Sequence, residues 1–481
     1  MTIHVWTPHG QDSQFNISQV ENGPLISRLV HFSYILAGYS LYRAFHWLGM
    51  TAVQALAIVS VASLAVCGFS VFRIGLYRGG RRLGWALSFL VLPLPLVLEQ
   101  AQGQEYQPFA TAMMLLAWYL WIARKPLLTS SIAWAASVLA NPANAFLFPS
   151  FFTFSLLESD SVKGALLRSA RLWVVSALVV LAVWSPFREE LLFSSSWGVV
   201  PVMSAGLFSR LELVRGLAFL AYAGAVNYFI FVFALPLTTI YRRIEELLKR
   251  RDERLHPGRL ASVGLSILVS VSILSITVGT ATHGRYYTPL LLWLALLLLL
   301  GIYRLLPRAD VRGVLTRWQW VGLAQLLFVV CVLILPYKYK AYARYHDYHM
   351  IADEYGGYVV ANTGSLSFSR IDSVEHRLQR TYDLDESSGR DVSELRDMVD
   401  SGRVERFIFA FGIDVPDRAL LKNVLPEGMM RALGVSPGDA EVLLKQKGLN
   451  VELHQLNTAS EGVFLARSVC VASGDKAGIR Q

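Results

Sequence analysis

The sequence predicts an α-helical polytopic membrane protein with about 10–11 membrane segments and a small C-terminal α/β soluble domain. Three observations predict it. The 481 residues are 54% hydrophobic and only 16% charged, where a soluble globular chain carries roughly 25% charged residues. Mean hydropathy is +0.43. Apolar runs of about 18–22 residues recur as far as residue 337, each long enough to cross ~30 Å of hydrocarbon. Beyond that point charged residues become common and apolar runs shorten to strand length.

Residues 1–28 are polar, carry Asp12 and Glu21, and have Arg28 as their basic residue. They lack the charged n-region and cleavage site of a signal peptide. Residues 29–48 are apolar but interrupted by His31, Arg43 and His46. If this segment spans, residues 1–28 are cytoplasmic; if it lies along the interface, they are external. One arginine is a poor cytoplasmic anchor, and the aromatic-rich second half suits an interfacial helix, so the external placement is preferred. Spans are expected near 51–72, 83–98, 108–123, 127–140, 143–157, 172–187, 216–240, 260–281, 286–306 and 319–337. The 127–140 and 143–157 pair is short and breaks at Asn141-Pro142, the signature of a tight or re-entrant hairpin.

Net charge is +9, concentrated in short segments between apolar runs. Arg73, Arg78, Arg81 and Arg82 fall in one expected loop, Arg124 and Lys125 in another, and Lys163, Arg168 and Arg171 in a third. Residues 242–259 hold seven Arg or Lys, and 304–317 hold four Arg. Alternating spans put all of these on one side, the cytoplasmic side by the positive-inside rule. This distribution is a membrane signal and gives no stripe for nucleic acid. The other side receives residues 99–107, the 188–215 loop, "THGRYY" at 282–287 and residues 338–481. In that last part "GYVVA" (357–361), "RFIFAF" (406–411) and "GVFLA" (462–466) read as strands. Residues 391–402 and 439–448 read as helices, each ended by Gly. Cys67 and Cys331 lie in apolar runs and Cys470 stands alone, so neither a disulfide framework nor a zinc spacing can be built.

Chemistry is sought on the external face. The nine residues "EQAQGQEYQ" (99–107) hold Glu99 and Glu105, four glutamines and no Lys or Arg; composition alone is equally satisfied by a plain polar turn. In "GRYYTP" (284–289), Arg285 and its tyrosines suit either an interfacial anchor or a phosphate clamp, because a guanidinium fork matches a phosphate. "HGQDSQ" (9–14) offers Asp12, with a solvated tail as the plain reading. Together, acids beside a basic-aromatic element suit transfer from a phosphate-linked donor: a carboxylate takes the proton from the attacking hydroxyl, and Arg neutralises the departing phosphate. No Walker loop, GxGxxG, GxSxG, HExxH or CxxC occurs, so no nucleotide cofactor is expected. Asp383, Asp385 and Glu386 suit either a cation or a solvated loop.

"ENGPLISRLVHFSYILAGYSLYRAFHWLG" followed by a span and "RIGLYRGGRR", then "GQEYQPFATAMMLLAWYLWIARK", then "GRYYTPLLLWLALLLLLG" resembles the GT-C glycosyltransferases. These are multispan enzymes using polyprenyl-phosphate sugars, and include the protein O-mannosyltransferase and aminoarabinose transferase groups. The likeness covers most of residues 10–306. It implies a glycosyltransferase moving a sugar from a polyprenyl-phosphate donor to an acceptor hydroxyl on the extracytoplasmic side of a membrane, a bacterial inner or plasma membrane by preference. It implies Asp12 and Glu105 as catalytic residues, and Arg285, Tyr286 and His283 around the donor phosphate. Glu99, Glu21 and Tyr106 become acceptor or cation contacts, with room for a divalent cation. Family members begin with a span ahead of the acidic loop, whereas this chain starts within that loop; an in-frame apolar segment upstream of Met1 would restore the pattern. Two other readings stay open: a transporter or flippase for a lipid-linked glycan precursor, which needs ionisable residues at mid-membrane, and a non-catalytic envelope assembly protein.

Overall fold

A computed structural model describes residues 31–94, 106–156, 161–187, 257–277 and 287–335, five strands between 358 and 473, and a few single positions within 16–21 and 228–245. The chain divides into two compact units, Phe15–Pro336 and a second formed by Met1–Gln14 with Tyr337–Gln481.

The first unit is helical. Its elements are α1 (Phe32–Phe45), α2 (Ala52–Gly79), α3 (Arg81–Val91), α4 (Gln107–Ile122), α5 (Leu127–Ala140), α6 (Pro149–Leu156), α7 (Val162–Trp184), α8 (Pro257–Thr277), α9 (Thr288–Leu305) and α10 (Arg308–Phe328). Among the described residues four helical segments are long and apolar enough to cross a membrane: Ala52–Gly79, Val162–Trp184, Thr288–Leu305 and Asp310–Val332. This is an integral membrane protein. On α7, Leu167, Val174, Leu178 and Leu181 are all exposed. Their spacing of seven, four and three residues lines one helical face, the stripe a span presents to lipid.

Several boundaries differ from the sequence reading, three of them for one reason. α2 starts with a capping box, in which Thr51 Oγ1 accepts from the Gln54 N–H and the Gln54 side chain accepts from the Thr51 N–H. It then continues through Arg73 and Arg78 to Gly79. Gly80, at φ 83°, ends α2 and opens α3; a residue without Cβ adopts that conformation at little cost. The expected arginine loop is therefore one glycine long. Lys163, Arg168 and Arg171 likewise lie on α7 rather than in a loop, and Arg312 and Arg317 lie on α10, which begins directly after Pro307. Long basic side chains reach the interface from inside a helix, so charge alone does not end one. The expected 83–98 span is an 11-residue helix as far as Val91. The expected 216–240 span lies almost wholly outside the described residues.

α1 is 14 residues long, about 21 Å, well short of the hydrocarbon thickness. Phe45 at its end and Trp47 and Leu48 after it are exposed, the arrangement of a helix lying along an interface. α5 ends at Asn141, whose side chain accepts from the Ala143 N–H. The chain returns through a 3-10 turn at Pro142–Leu147 and through α6, giving the expected hairpin.

α4 is the central helix. Its buried residues include Ala110, Met114, Leu115, Trp118 and Trp121, so it is apolar on all sides, as a helix enclosed by others must be. Its polar groups are satisfied by neighbours, as hydrocarbon surroundings require. Trp118 Nε1 donates to Ser150 Oγ at 2.8 Å, Trp121 Nε1 to the Phe151 carbonyl at 3.0 Å, and Ser137 Oγ to the Ala110 carbonyl at 2.7 Å. Trp293 of α9 donates to Thr153 Oγ1 at 3.0 Å, tying α9 to α6.

α2 and α3 meet glycine to glycine. A Cβ on Gly75 would lie 2.6 Å from Gly84 Cα and 2.9 Å from the Leu83 carbonyl carbon. These are backbone atoms that cannot swing aside, and close backbone approach through small residues is how membrane helices gain packing energy. Gly75→Ala is expected to destabilise the purified protein by roughly 1–3 kcal/mol, read as a lower Tm in detergent. Gly264→Ala is the control: nothing lies within 4 Å of its added methyl, and Ala outranks Gly in a helix, so Tm should hold or rise.

In the second unit the strands are β1 (Tyr358–Asn362), β2 (Thr381–Leu384), β3 (Arg406–Ala410), β4 (Asn450–Leu456) and β5 (Arg467–Ser473). They form one sheet in the order β2-β1-β3-β5-β4. β1 pairs in parallel with β2 and β3, with Val359 opposite Thr381 and Ile408, while β5 runs antiparallel to β3 and β4. β1 and β3 fall where the sequence places strands at 357–361 and 406–411. Residues 462–466, expected as a strand, lie outside the described residues, and β5 begins at Arg467. The helices expected at 391–402 and 439–448 also lie outside them. Asp383 is in β2, opposite Ala361.

Candidate functional site

The two ends of the helical unit differ in chemistry. One end is basic and aromatic. Arg73 donates from Nε and Nη2 to Tyr119 Oη at 3.2 and 3.1 Å. Arg168 donates from Nη2 to the Trp121 carbonyl at 2.8 Å, with its guanidinium carbon 4.1 Å from the Trp121 ring centroid. Tyr119 and Trp121 belong to the last turn of α4, and Arg124 and Lys125 follow it. Tyr303, in the last turn of α9, lies against Gly79 at the end of α2. The C-terminal ends of α2, α4 and α9 therefore share this end.

The opposite end is polar and carries no cluster of cations among the described residues. His31 precedes α1 in a left-handed conformation, φ 73°, which is uncommon for a side chain with a Cβ. Two contacts hold it there. Its Nδ1–H donates to the Ala140 carbonyl at the end of α5, at 2.8 Å, and its ring stacks on Tyr106 with centroids 3.3 Å apart. Ser33 Oγ donates to the Ala136 carbonyl at 2.7 Å, fixing α1 along α5. Asn144 Nδ2 donates to Ser137 Oγ at 2.8 Å, and Trp134 Nε1 to the Asn144 carbonyl. Gln107, Asn141 and Asn144 are buried here.

Of the residues singled out from sequence, Tyr106 is fully buried, its ring on His31, and Glu21 is helical and exposed. Asp12, Glu99, Glu105, His283, Arg285 and Tyr286 lie outside the described residues. The described residues that follow Glu105 and Tyr286, Tyr106 and Tyr287, lie at the same end of the bundle. The 99–105 segment enters α4 through Tyr106. Residues 283–286 enter α9 through Tyr287, buried together with Thr288. The N-terminal segment enters α1 through His31. Because α4 and α9 both finish at the basic end, Tyr106 and Tyr287 start them at the polar end, which His31 shares through its contact with Tyr106. Tyr106, Tyr287 and His31, far apart in sequence, thus share one end of the bundle.

Sequence reading passed over His31 and Asn144. His31 was visible as a polar interruption of an apolar stretch. Asn144 was visible three residues past the Asn141-Pro142 break. Neither signal names a partner, because the contacts of His31 are long-range.

No family model matches the chain, and no curated protein matches it. Among solved structures it is similar over its whole length to ArnT from Cupriavidus metallidurans. Against ArnT bound to undecaprenyl phosphate the TM-score is 0.51 at 13% identity, covering 99% of this chain and 97% of that one. Against the apo state the TM-score is 0.51, again at 13% identity, with 98% and 96% covered. The Archaeoglobus fulgidus oligosaccharyltransferase aligns with a TM-score of 0.43 and 12% identity over 84% of this chain and 65% of its own. The chain has the fold that ArnT has.

Proposed function

We propose that the protein is a membrane glycosyltransferase that takes a sugar from a polyprenyl-phosphate carrier and passes it to an acceptor hydroxyl on the extracytoplasmic side. The observation that carries this reading is the end-to-end likeness to ArnT in a structure bound to undecaprenyl phosphate. The position of Tyr106 and Tyr287, which follow the acidic and Arg-Tyr segments in the chain, at the polar end of the bundle supports it.

The chemistry assigned to this chain is as follows. Glu105 or Asp12 takes the proton of the acceptor hydroxyl as its oxygen bonds the sugar's anomeric carbon. The bond from that carbon to the carrier phosphate breaks, and the polyprenyl phosphate leaves with the electron pair. Arg285, with Tyr286 and His283, stabilises the phosphate charge. Glu99, Glu21 and Tyr106 serve the acceptor or a divalent cation. For Tyr106 that role is confined to its hydroxyl, since its ring face is taken by His31. The basic end, with Arg73, Arg124 and Arg168, is the cytoplasmic end by the positive-inside rule, and the 338–481 domain is extracytoplasmic.

The test reconstitutes the full chain in liposomes with labelled polyprenyl-phosphate sugar on one leaflet and an envelope extract as the source of acceptor hydroxyls. Cleavage is expected, seen as free polyprenyl phosphate accumulating in proportion to protein. Movement of intact donor across the bilayer without cleavage would overturn the transferase reading in favour of a flippase. Neither cleavage nor movement, from a protein that remains folded, would leave the non-catalytic assembly reading.

A further inference from the structure

We propose that His31 is a positioning residue for Glu105: its ring holds Tyr106 at the entry to α4, and so sets where the neighbouring carboxylate stands. The proposal rests on the transferase reading, in which Glu105 serves the acceptor hydroxyl. His31 keeps a left-handed backbone, φ 73°, which is uncommon for a residue with a Cβ. Such a conformation persists where its surroundings over-determine it, and it clusters where function needs a fixed geometry. Here the Nδ1–H donates to the Ala140 carbonyl at 2.8 Å, which fixes the ring against the end of α5. The ring then lies on Tyr106, with centroids 3.3 Å apart and planes inclined by 20°. Tyr106 is fully buried, and its side chain makes no capping bond to α4. Its carbonyl accepts from the Ala110 N–H at 2.9 Å, so the stack grips the residue on which the first turn of α4 hangs. Glu105 is joined to Tyr106 by one peptide bond, and neighbouring Cα atoms are about 3.8 Å apart. Fixing Tyr106 therefore restricts Glu105 to a small volume.

A plain reading exists: His31 opens α1 and docks that helix on α5. Docking, however, has bonds of its own. Ser33 Oγ donates to the Ala136 carbonyl at 2.7 Å, and the Tyr34 and Ser60 hydroxyls lie 3.2 Å apart, tying α1 to α2. These bonds hold α1 whether or not a ring lies on Tyr106. What the ring adds is a contact with the start of α4, at the residue next to a carboxylate. A misplacement of about 1 Å can cost on the order of 10²-fold in rate, so a lock at that point has a catalytic consequence.

The test separates the ring from the hydrogen bond, in the full-length protein below the lowest Tm of the series. Asn tolerates the left-handed conformation and its amide can donate where Nδ1 does. His31→Asn therefore keeps the backbone and the bond to Ala140 but removes the stack. His31→Phe keeps a ring over Tyr106 but loses the donor and strains the backbone. Stability should fall in the order wild type, Asn, Phe, while the transfer rate falls in the order wild type, Phe, Asn. For His31→Asn the loss in kcat is expected to be about 10- to 100-fold, with donor KM unchanged. Rates that follow Tm across the series would make His31 merely structural and overturn the proposal. Ser33→Ala loosens the same helix and should keep the wild-type rate; a loss there equal to that of His31→Asn would also overturn it. Because His31 acts through Glu105, His31→Asn should add no further loss to Glu105→Gln; losses that multiply would count against it. Failure of the underlying reading has a different signature. Glu105→Gln at wild-type rate removes the assignment of Glu105 itself, whereas a slow Glu105→Gln beside a fast His31→Asn removes the positioning role alone. A last readout needs no turnover. Amide hydrogen exchange in residues 99–107 should quicken in His31→Asn and not in Ser33→Ala, and equal exchange in wild type and both variants would overturn the lock.

Discussion

Glu105→Gln is expected to lower the rate of sugar transfer by on the order of 10²–10⁴-fold, the usual range for removing a general acid or base, while the protein expresses and unfolds like wild type. The amide is nearly isosteric with the carboxylate and keeps a hydrogen-bonding carbonyl, but it cannot accept a proton at neutral pH. The local structure should survive the change. The helix that follows is fixed downstream of Glu105: Tyr106 is held by His31, the Ser137 hydroxyl donates to the Ala110 carbonyl, and Pro108 in the first turn has no N–H to leave unsatisfied. A rate loss at unchanged Tm therefore points to chemistry. Glu99→Gln provides the internal scale, because an acceptor or cation contact should cost less in rate and show mainly in acceptor KM. Wild-type turnover in Glu105→Gln would return residues 99–107 to the status of a polar turn.

How far the sequence carries the fold is visible at particular residues. α2 begins at the start of the span placed at 51–72, and α5 ends where Asn141-Pro142 advertises a break; the break is a local signal, and local signals are readable. The ends of α2, α7 and α10 were not readable from charge. Arg73 and Arg168 remain inside helices because they find partners on α4, Tyr119 and the Trp121 carbonyl, that only the packed bundle supplies. In the second unit, "RFIFA" in β3 has the apolar run of an inner strand. "NVELHQL" in β4 carries alternating polar residues at the sheet edge, next to β5 alone, and such a pattern competes with helix and loop readings. The candidate site divides in the same way. The residue types at 99–107 and 283–287 were legible as chemistry. That Tyr106 starts α4 buried beneath His31 was not, since the stack joins positions on either side of α1, α2 and α3.

The second large effect is expected at Arg285. Replacing it with Ala should weaken binding of a polyprenyl phosphate on the order of 100-fold, and replacing it with Lys about 10-fold, from the loss of one or both charge-assisted hydrogen bonds. The grading carries the argument. Lys keeps the charge but presents a single rotating ammonium in place of a planar fork, so a phosphate clamp must distinguish the two cations. An interfacial anchor does not, because either side chain can snorkel to the headgroups; Lys would then substitute freely, and Ala would lower Tm instead of affinity. α9 makes the comparison clean, because it is anchored independently of residue 285. Trp293 donates to Thr153, Tyr303 packs against Gly79, and Pro289 lies in the first turn of the helix. The helix should therefore stay in place whatever stands three residues ahead of it. Binding is measured on detergent-purified variants of matched Tm, with undecaprenyl phosphate as the probe and undecaprenol as the control that lacks the phosphate. Undecaprenol should bind all three proteins alike, because it offers nothing for a guanidinium to grip. Equal undecaprenyl phosphate affinity in wild type, Arg285→Lys and Arg285→Ala would remove the clamp, and with it the strongest residue-level support for a lipid-phosphate donor.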